Sequence, residues 1–197
     1  MKTDIILAGV GGQGILSIAA AIGTAALNNK LFIKQSETHG MSQRGGAVVS
    51  HLRISDKPIY SDLIPQGEAD IILSVEPLEA LRYVTYLSEK GFVITNTAPF
   101  NNIADYPPIE VINDQLNKLK RVVLFDADKI ATELGAKLSS NMVVLGAAVP
   151  FLNHIELPDL EKGISELFSR KGEEVINANI TALRAGKQIS DDKIKGL

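Results

Sequence analysis

Residues Asp4-Ile5-Ile6-Leu7-Ala8-Gly9-Val10-Gly11-Gly12-Gln13-Gly14 run a short apolar segment into a glycine-rich turn, and an alanine-rich apolar segment, Ile15 to Leu27, follows at once. No other part of the chain constrains the fold as much. Ile5–Ala8, closed by glycine, reads as a buried strand. The segment after the turn is apolar almost all round, so it reads as a helix sandwiched between layers. Gly9, Gly11 and Gly14 form a G-x-G-x-x-G pattern. In that pattern Gly9 is expected to make the tight turn, Gly11 to clear space for an anion, and Gly14 to let helix and strand pack closely. Backbone N–H groups at such a helix N-terminus suit a negatively charged ligand. The same pattern also serves as a tight connection that binds nothing, and the Gln13 amide suits either a ligand or the loop itself.

Strands and helices alternate along much of the remainder. Leu31–Gln35 is the expected second strand. Ala47–Ile54, then Asp56-Lys57-Pro58, then Ile59–Ile64 read as a β-hairpin inserted after it. Ala69–Ser74, Phe92–Thr95 and Arg121–Phe125 are further strand candidates, and Pro77 opens a helix expected to reach about Lys90. Ala98–Pro108 reads as loop and Ile109–Ile112 as a short strand. Asp128 is the expected cap of a helix stopped by Gly135. The last third reads as helices: Asn141–Leu152, one around Leu160 to Phe168, and one around Ile176 to Leu183 closed by Gly186, with a frayed polar end. The expected architecture is α/β: a Rossmann-like, open, mostly parallel sheet with an inserted β-hairpin and C-terminal helices, in one domain over residues 1–197.

Composition narrows the chemistry. The 197 residues carry a net charge of −3 and no clustered Lys and Arg, which argues against nucleic acid as a partner. With no cysteine, the chain offers no disulfide, no thiolate zinc site, no cysteine nucleophile and no ordinary ligands for an iron–sulfur cluster. The uninterrupted apolar part, Ile15 to Leu27, is shorter than the ~20 residues of a membrane-spanning helix, so no membrane association and a cytoplasmic location are expected.

A second glycine-rich polar segment, Ser36-Glu37-Thr38-His39-Gly40-Met41-Ser42-Gln43-Arg44-Gly45-Gly46, lies near the end of the second expected strand. Glu37 has the spacing of an acid that would hold the ribose of a dinucleotide. Arg44 beside Gly45 and Gly46 offers a guanidinium and unobstructed backbone donors, which suit phosphate or carboxylate. A solvated hairpin loop explains the same glycines.

Taken together, Gly9-Val10-Gly11-Gly12-Gln13-Gly14, Ser36-Glu37-Thr38, and Arg44-Gly45-Gly46 leading into Ala47-Val48-Val49-Ser50 resemble the gamma-type domain of 2-oxoacid:ferredoxin oxidoreductases. Asp126-Ala127-Asp128 and Asn141-Met142-Val143-Val144-Leu145-Gly146-Ala147 extend the similarity over nearly the whole chain. His39-Gly40-Met41-Ser42-Gln43-Arg44-Gly45-Gly46 resembles the indolepyruvate branch, in which this domain is a separate beta subunit. The gamma subunits of the pyruvate, 2-oxoglutarate and 2-oxoisovalerate enzymes are the alternative. The resemblance implies a subunit that is inactive alone. It would work in an enzyme that decarboxylates arylpyruvates oxidatively, with coenzyme A as co-substrate and ferredoxin as electron acceptor. Thiamine diphosphate and [4Fe–4S] clusters are expected on a larger alpha subunit, and no cofactor on this chain. The candidate ligand-binding residues are Gly9, Gly11, Gly12, Gln13, Gly14, Glu37, Arg44, Gly45 and Gly46, facing coenzyme A phosphates or an oxoacid carboxylate. No catalytic or metal-ligating residue is expected, and His39 is expected to be structural.

Other readings use other residues. A stand-alone NAD(P)-dependent oxidoreductase would put Glu37 or Arg44 on the ribose, and a nucleotide-binding module would bind without a cluster-bearing partner. Tyr86-x-x-x-Lys90 has the spacing of a reductase pair, which a solvated helix face explains equally. Asp126 and Asp128 read as a strand-end acid and a helix cap rather than as metal ligands.

Overall fold

The computed structural model describes residues 1–40 and 45–195. Six strands form one sheet: β1 (Lys2–Val10), β2 (Phe32–His39), β3 (Ala47–Ser55), β4 (Ala69–Ser74), β5 (Leu87–Asn96) and β6 (Val122–Phe125), in the order β2-β3-β1-β4-β5-β6. β1, β4, β5 and β6 pair in parallel, while β3 runs antiparallel to both β1 and β2. Only β3 therefore opposes the common direction. The open, mostly parallel α/β sheet expected from the sequence is present.

Alternate residues of the central strands serve two cores, as the two-residue strand period requires. Ile5, Leu7, Leu52, Ile71, Leu73, Ile94 and Val123 face a layer built from α1 (Ile15–Asn28), α4 (Ala127–Glu133), α5 (Ser140–Ala148), α6 (Leu157–Leu167) and α7 (Glu173–Ile194). Ile6, Ile72 and Val93 face the smaller layer of α2 (Pro77–Arg82) and α3 (Ile109–Asn117). Burial on both faces explains why β1 is apolar with little alternation.

Several local expectations are corrected. The antiparallel pair is β2 with β3, and Ile59–Ile64 is not a strand. β1 and β2 already occupy both edges of β3, so the returning segment has no free ladder to join. Side chains hold it instead: Arg53 donates to the Ser61 and Leu63 carbonyls at 3.1 and 2.8 Å, and the Ile64 N–H donates to His51 Nδ1 at 3.1 Å. The helix from Pro77 stops at Arg82, and Leu87 already pairs with Ala69 of β4. The β-branched and aromatic residues Val84, Thr85 and Tyr86 disfavour a longer helix. Lys90 is consequently in a strand, and the Tyr86/Lys90 pair shares no helical face. Ile109–Ile112 belongs to α3, which buries Ile112 and Leu116.

Asp126, not Asp128, caps α4, accepting from the Lys129 N–H at 2.8 Å. α5 ends at Ala148, short of Leu152. Gly186 does not close a helix, because it lies inside α7, and the polar end expected to fray is helical to Ile194.

Candidate functional site

The strand order creates a point of divergence. The chain leaves β1 through α1 onto one face of the sheet and leaves the adjacent β4 through α2 onto the other. In open α/β sheets, ligands bind outside the strand C-termini at such a switch point. Here the turn from Gly11 to Gly14 follows β1, and Val75-Glu76 follows β4.

The glycines divide their roles differently from the expectation. Gly9 is still within β1, and a Cβ there would lie 2.4 Å from Val75 Cγ2 and 2.9 Å from Ile15 Cδ1. It is the close-packing glycine. Gly14 is the N-cap of α1 at φ +82°, and a Cβ on it would lie 2.4 Å from Asn141 Nδ2. Gly12, at φ +101°, has nothing within 4 Å of its Cβ position, so its open side faces free space.

Some of the turn's hydrogen-bonding capacity is already used. The Gly11 N–H donates to the Gly46 carbonyl at 2.9 Å, and the Gln13 N–H to the Val10 carbonyl at 3.1 Å. Gln13 Oε1 accepts from the Val10 N–H at 2.8 Å, while Nε2 lies 3.4 Å from the Val75 carbonyl. Gln13 thus bridges the crevice between β1 and β4, and its amide is engaged in holding the turn. Among the described residues, the N–H groups of Gly12, Gly14, Ile15 and Leu16 have no acceptor. α1 has neither a side-chain cap nor an acid in its first turn. Two left-handed glycines leading into uncapped helical N–H groups leave a run of backbone donors of the kind that suits an anion.

The second segment arrives from the β2–β3 hairpin. Gly46 meets Gly11 directly, and Gly45, at φ +78°, has its carbonyl held by Asn102 Nδ2 at 2.7 Å. The two glycine segments are therefore joined. Arg44, with Met41, Ser42 and Gln43, lies outside the described residues.

Glu37 is placed differently from a ribose-binding acid. It sits on the edge strand β2, opposite Ser50 of β3, and β3 separates it from β1. Two strand spacings are about 10 Å, so Glu37 is displaced from the position expected for a dinucleotide site beside the first strand. Its carboxylate pairs with His39 and accepts from Gln35 Nε2 at 3.3 Å.

Four residues outside the expected ligand-binding set complete this end of the sheet. Asn141 Nδ2 donates to the Gly14 carbonyl at 3.1 Å. Asn96 donates to the Val75 carbonyl at 3.3 Å and to Asp128 at 2.9 Å, and accepts from the Ala98 and Ala127 N–H groups. Glu76, 1% exposed, caps α2 through the Glu79 N–H and accepts from the Phe100 N–H at 3.3 Å and from the Tyr106 hydroxyl. Burial first, and then the hydrogen bond to the Glu76 carboxylate, push the Tyr106 phenol far above its ordinary pKa. Tyr106, Pro99, Ile103 and Pro108 line an open cleft of about 380 Å³ beside the same loop. Pro77 marked the helix start, but glutamate is not one of the usual capping residues, and the asparagines carried no local signal.

A sequence model of the family described as pyruvate ferredoxin/flavodoxin oxidoreductase matches residues 4–189. The chain is similar to the indolepyruvate oxidoreductase subunit IorB of Pyrococcus horikoshii, with 41% identity over 73% of this chain and 75% of that one. It is similar to the subunit of the same name from Archaeoglobus fulgidus, with 37% identity over 94% of each chain. Its fold matches part of the 2-oxoglutarate:ferredoxin oxidoreductase of Magnetococcus marinus, solved with 2-oxoglutarate, coenzyme A and succinyl-CoA. The TM-score is 0.75 at 23% identity, covering 97% of this chain and 31% of that one.

Proposed function

The chain belongs to the pyruvate ferredoxin/flavodoxin oxidoreductase family, and from there we propose that it is the smaller, beta-type subunit of an indolepyruvate oxidoreductase. In the proposed reaction an arylpyruvate loses carbon dioxide, its acyl carbon joins coenzyme A as a thioester, and two electrons pass to ferredoxin. Identities of 37–41% to indolepyruvate oxidoreductase subunits support this branch over the related gamma-type subunits.

The redox cofactors do not fit this chain. An iron–sulfur cluster needs thiolates, and the sequence has no cysteine. Among the described residues, no three His, Cys, Asp or Glu side chains group as a metal site. Clusters are accordingly proposed to sit on a larger alpha subunit, which the resemblance implies holds thiamine diphosphate as well, and this chain is proposed to be inactive alone. No helix among the described residues is long and apolar enough to cross a membrane, and the proposed compartment is the cytoplasm.

This chain's part is to hold an anion. The observation that carries the reading is the Gly11–Gly46 hydrogen bond, which brings the two glycine segments together at the switch point. The N–H groups of Gly12, Gly14, Ile15 and Leu16 would receive phosphate oxygens of coenzyme A, and Arg44 is proposed to add its guanidinium. Held there, coenzyme A would be oriented toward the partner's cofactor, which supplies the decarboxylation chemistry.

Purification from anaerobic extract under gentle conditions tests this. The expected result is a complex with a larger chain bearing thiamine diphosphate and iron–sulfur clusters, oxidising indolepyruvate only when coenzyme A and ferredoxin are present. Recovery of this chain alone would overturn the reading.

A further inference from the structure

We propose that Asn102 is a positioning residue for the anion site, acting through the Gly45–Gly46 backbone; the inference rests on the function proposed above. Residues 97–108 link β5 to α3, a connection longer than most in a compact domain. This loop is tied down at both ends. Near its start, Asn96 Oδ1 accepts from the Ala98 N–H at 3.2 Å, and Glu76 accepts from the Phe100 N–H at 3.3 Å. Near its end, the Tyr106 hydroxyl donates to the same Glu76 carboxylate. Glu76 is itself fixed, because it is buried and caps α2.

Asn102 projects from the middle of this strap. Its Nδ2 donates to the Gly45 carbonyl at 2.7 Å, a short bond for a neutral pair. Gly45 is in the left-handed region and has no side chain to hold it by. The next residue, Gly46, receives the Gly11 N–H. Hydrogen bonds joined by short stretches of backbone thus lead from Glu76 through the loop to Asn102, then Gly45–Gly46, then Gly11. They set the start of β3 against the turn, where the Gly12, Gly14, Ile15 and Leu16 N–H groups have no acceptor among the described residues. Asn102 touches no ligand in this scheme; it fixes the distance between the two halves of the site.

The test uses the assembled complex carrying Asn102→Ala. Losing one net hydrogen bond corresponds to about a fivefold effect. The expected result is a KM for coenzyme A raised about fivefold, with kcat and the KM for indolepyruvate within twofold of wild type. In the same variant, hydrogen exchange over Gly9–Gly14 should quicken, because the Gly11 N–H loses its steady acceptor. Asn102→Gln, which keeps the donor, should restore part of both effects. Unchanged exchange over Gly9–Gly14 would overturn the inference whatever the kinetics, and leave the proposed function standing. Faster exchange with an unchanged KM for coenzyme A would also overturn it, since the hairpin would then move without affecting the site. Failure of the wild-type complex to require coenzyme A would instead remove the functional reading itself.

Discussion

The Gly11 N–H lies 2.9 Å from the Gly46 carbonyl oxygen, so the turn after the first strand is joined through the backbone to the residue that precedes β3. With Gly11 engaged there and Gln13 holding its own loop, Gly12 presents the turn's open face. A Gly12→Asp substitution places a carboxylate where an anion is expected, and forces a residue with a Cβ to φ +101°. The strain costs about 1–2 kcal/mol, lowering the melting temperature by roughly 2–8 °C for a chain of this size. The KM for coenzyme A should rise at least tenfold by charge repulsion. Gly12→Ala carries the same strain without the charge and should show the thermal shift with a smaller kinetic effect, so paired melting and initial-rate measurements separate the two causes.

A different glycine pair is purely architectural. A Cβ on Gly186 would lie 1.9 Å from the Val143 carbonyl oxygen, and one on Gly146 1.9 Å from that of Leu183, so α5 and α7 touch backbone to backbone. Gly186→Ala forces these helices apart over a largely apolar core. Overpacking of this kind costs about 1–3 kcal/mol or more. A denaturant titration should show the midpoint falling with little change in m. Gly135→Ala, at φ +69° with nothing within 4 Å, should cost only its backbone strain, about 1 kcal/mol.

The segment after β3 should respond to pH. Burial is the main cause holding the His51 pKa below its ordinary value; Arg53 acts in the same direction and Asp62 opposes them. Nδ1 must be unprotonated to accept the Ile64 N–H, and the ring stands edge-on to Tyr86, 5.4 Å between centroids. Because the folded pKa lies below the unfolded one, this contribution to stability is complete above about pH 6.5 and is lost as pH falls through the lowered value. The Ile64 amide should lose protection on acidification, beyond the intrinsic pH dependence of exchange. His51→Phe should remove the pH-dependent part.

The first strand and α1 were legible because a short apolar run and a longer apolar segment stand on either side of clear glycine punctuation. The errors fell where tertiary partners decide. Ile59–Ile64 follows a turn signal after an alternating strand, but both edges of β3 were already taken by β1 and β2, a fact of strand order that no local pattern encodes. Gly186 looked like a helix stop because glycine commonly is one; only the facing Val143 backbone shows why a helix interior needs it. The glycine segments were visible in the sequence, yet their holders were not. Asn96, Asn102 and Asn141 reach backbone carbonyls from distant elements, and an asparagine reads the same in a sequence whether or not such a carbonyl is near.

The expected docking side of this subunit follows from where its exposed apolar residues stand. Asn141 ties the start of α5 to Gly14, which brings Leu138, just before α5, to the end of the sheet where α1 begins. Leu138 is 97% exposed, and Leu16 in the first turn of α1 is 56% exposed. Under the proposed function, coenzyme A held at that end would also have to reach a cofactor on another chain, which would place the larger subunit over the same end. Leu138→Asp should leave the melting temperature of the isolated chain nearly unchanged, since the side chain packs against little. It should weaken association with the larger subunit about tenfold or more if Leu138 is an anchoring contact. Tyr60→Asp is the matched control: Tyr60 is 93% exposed, but it follows Ser55, which pairs with Lys2 at the opposite end of β1. Sedimentation of the reconstituted complex should therefore distinguish the two variants, and equal effects from both would remove the strand C-termini as the contact side.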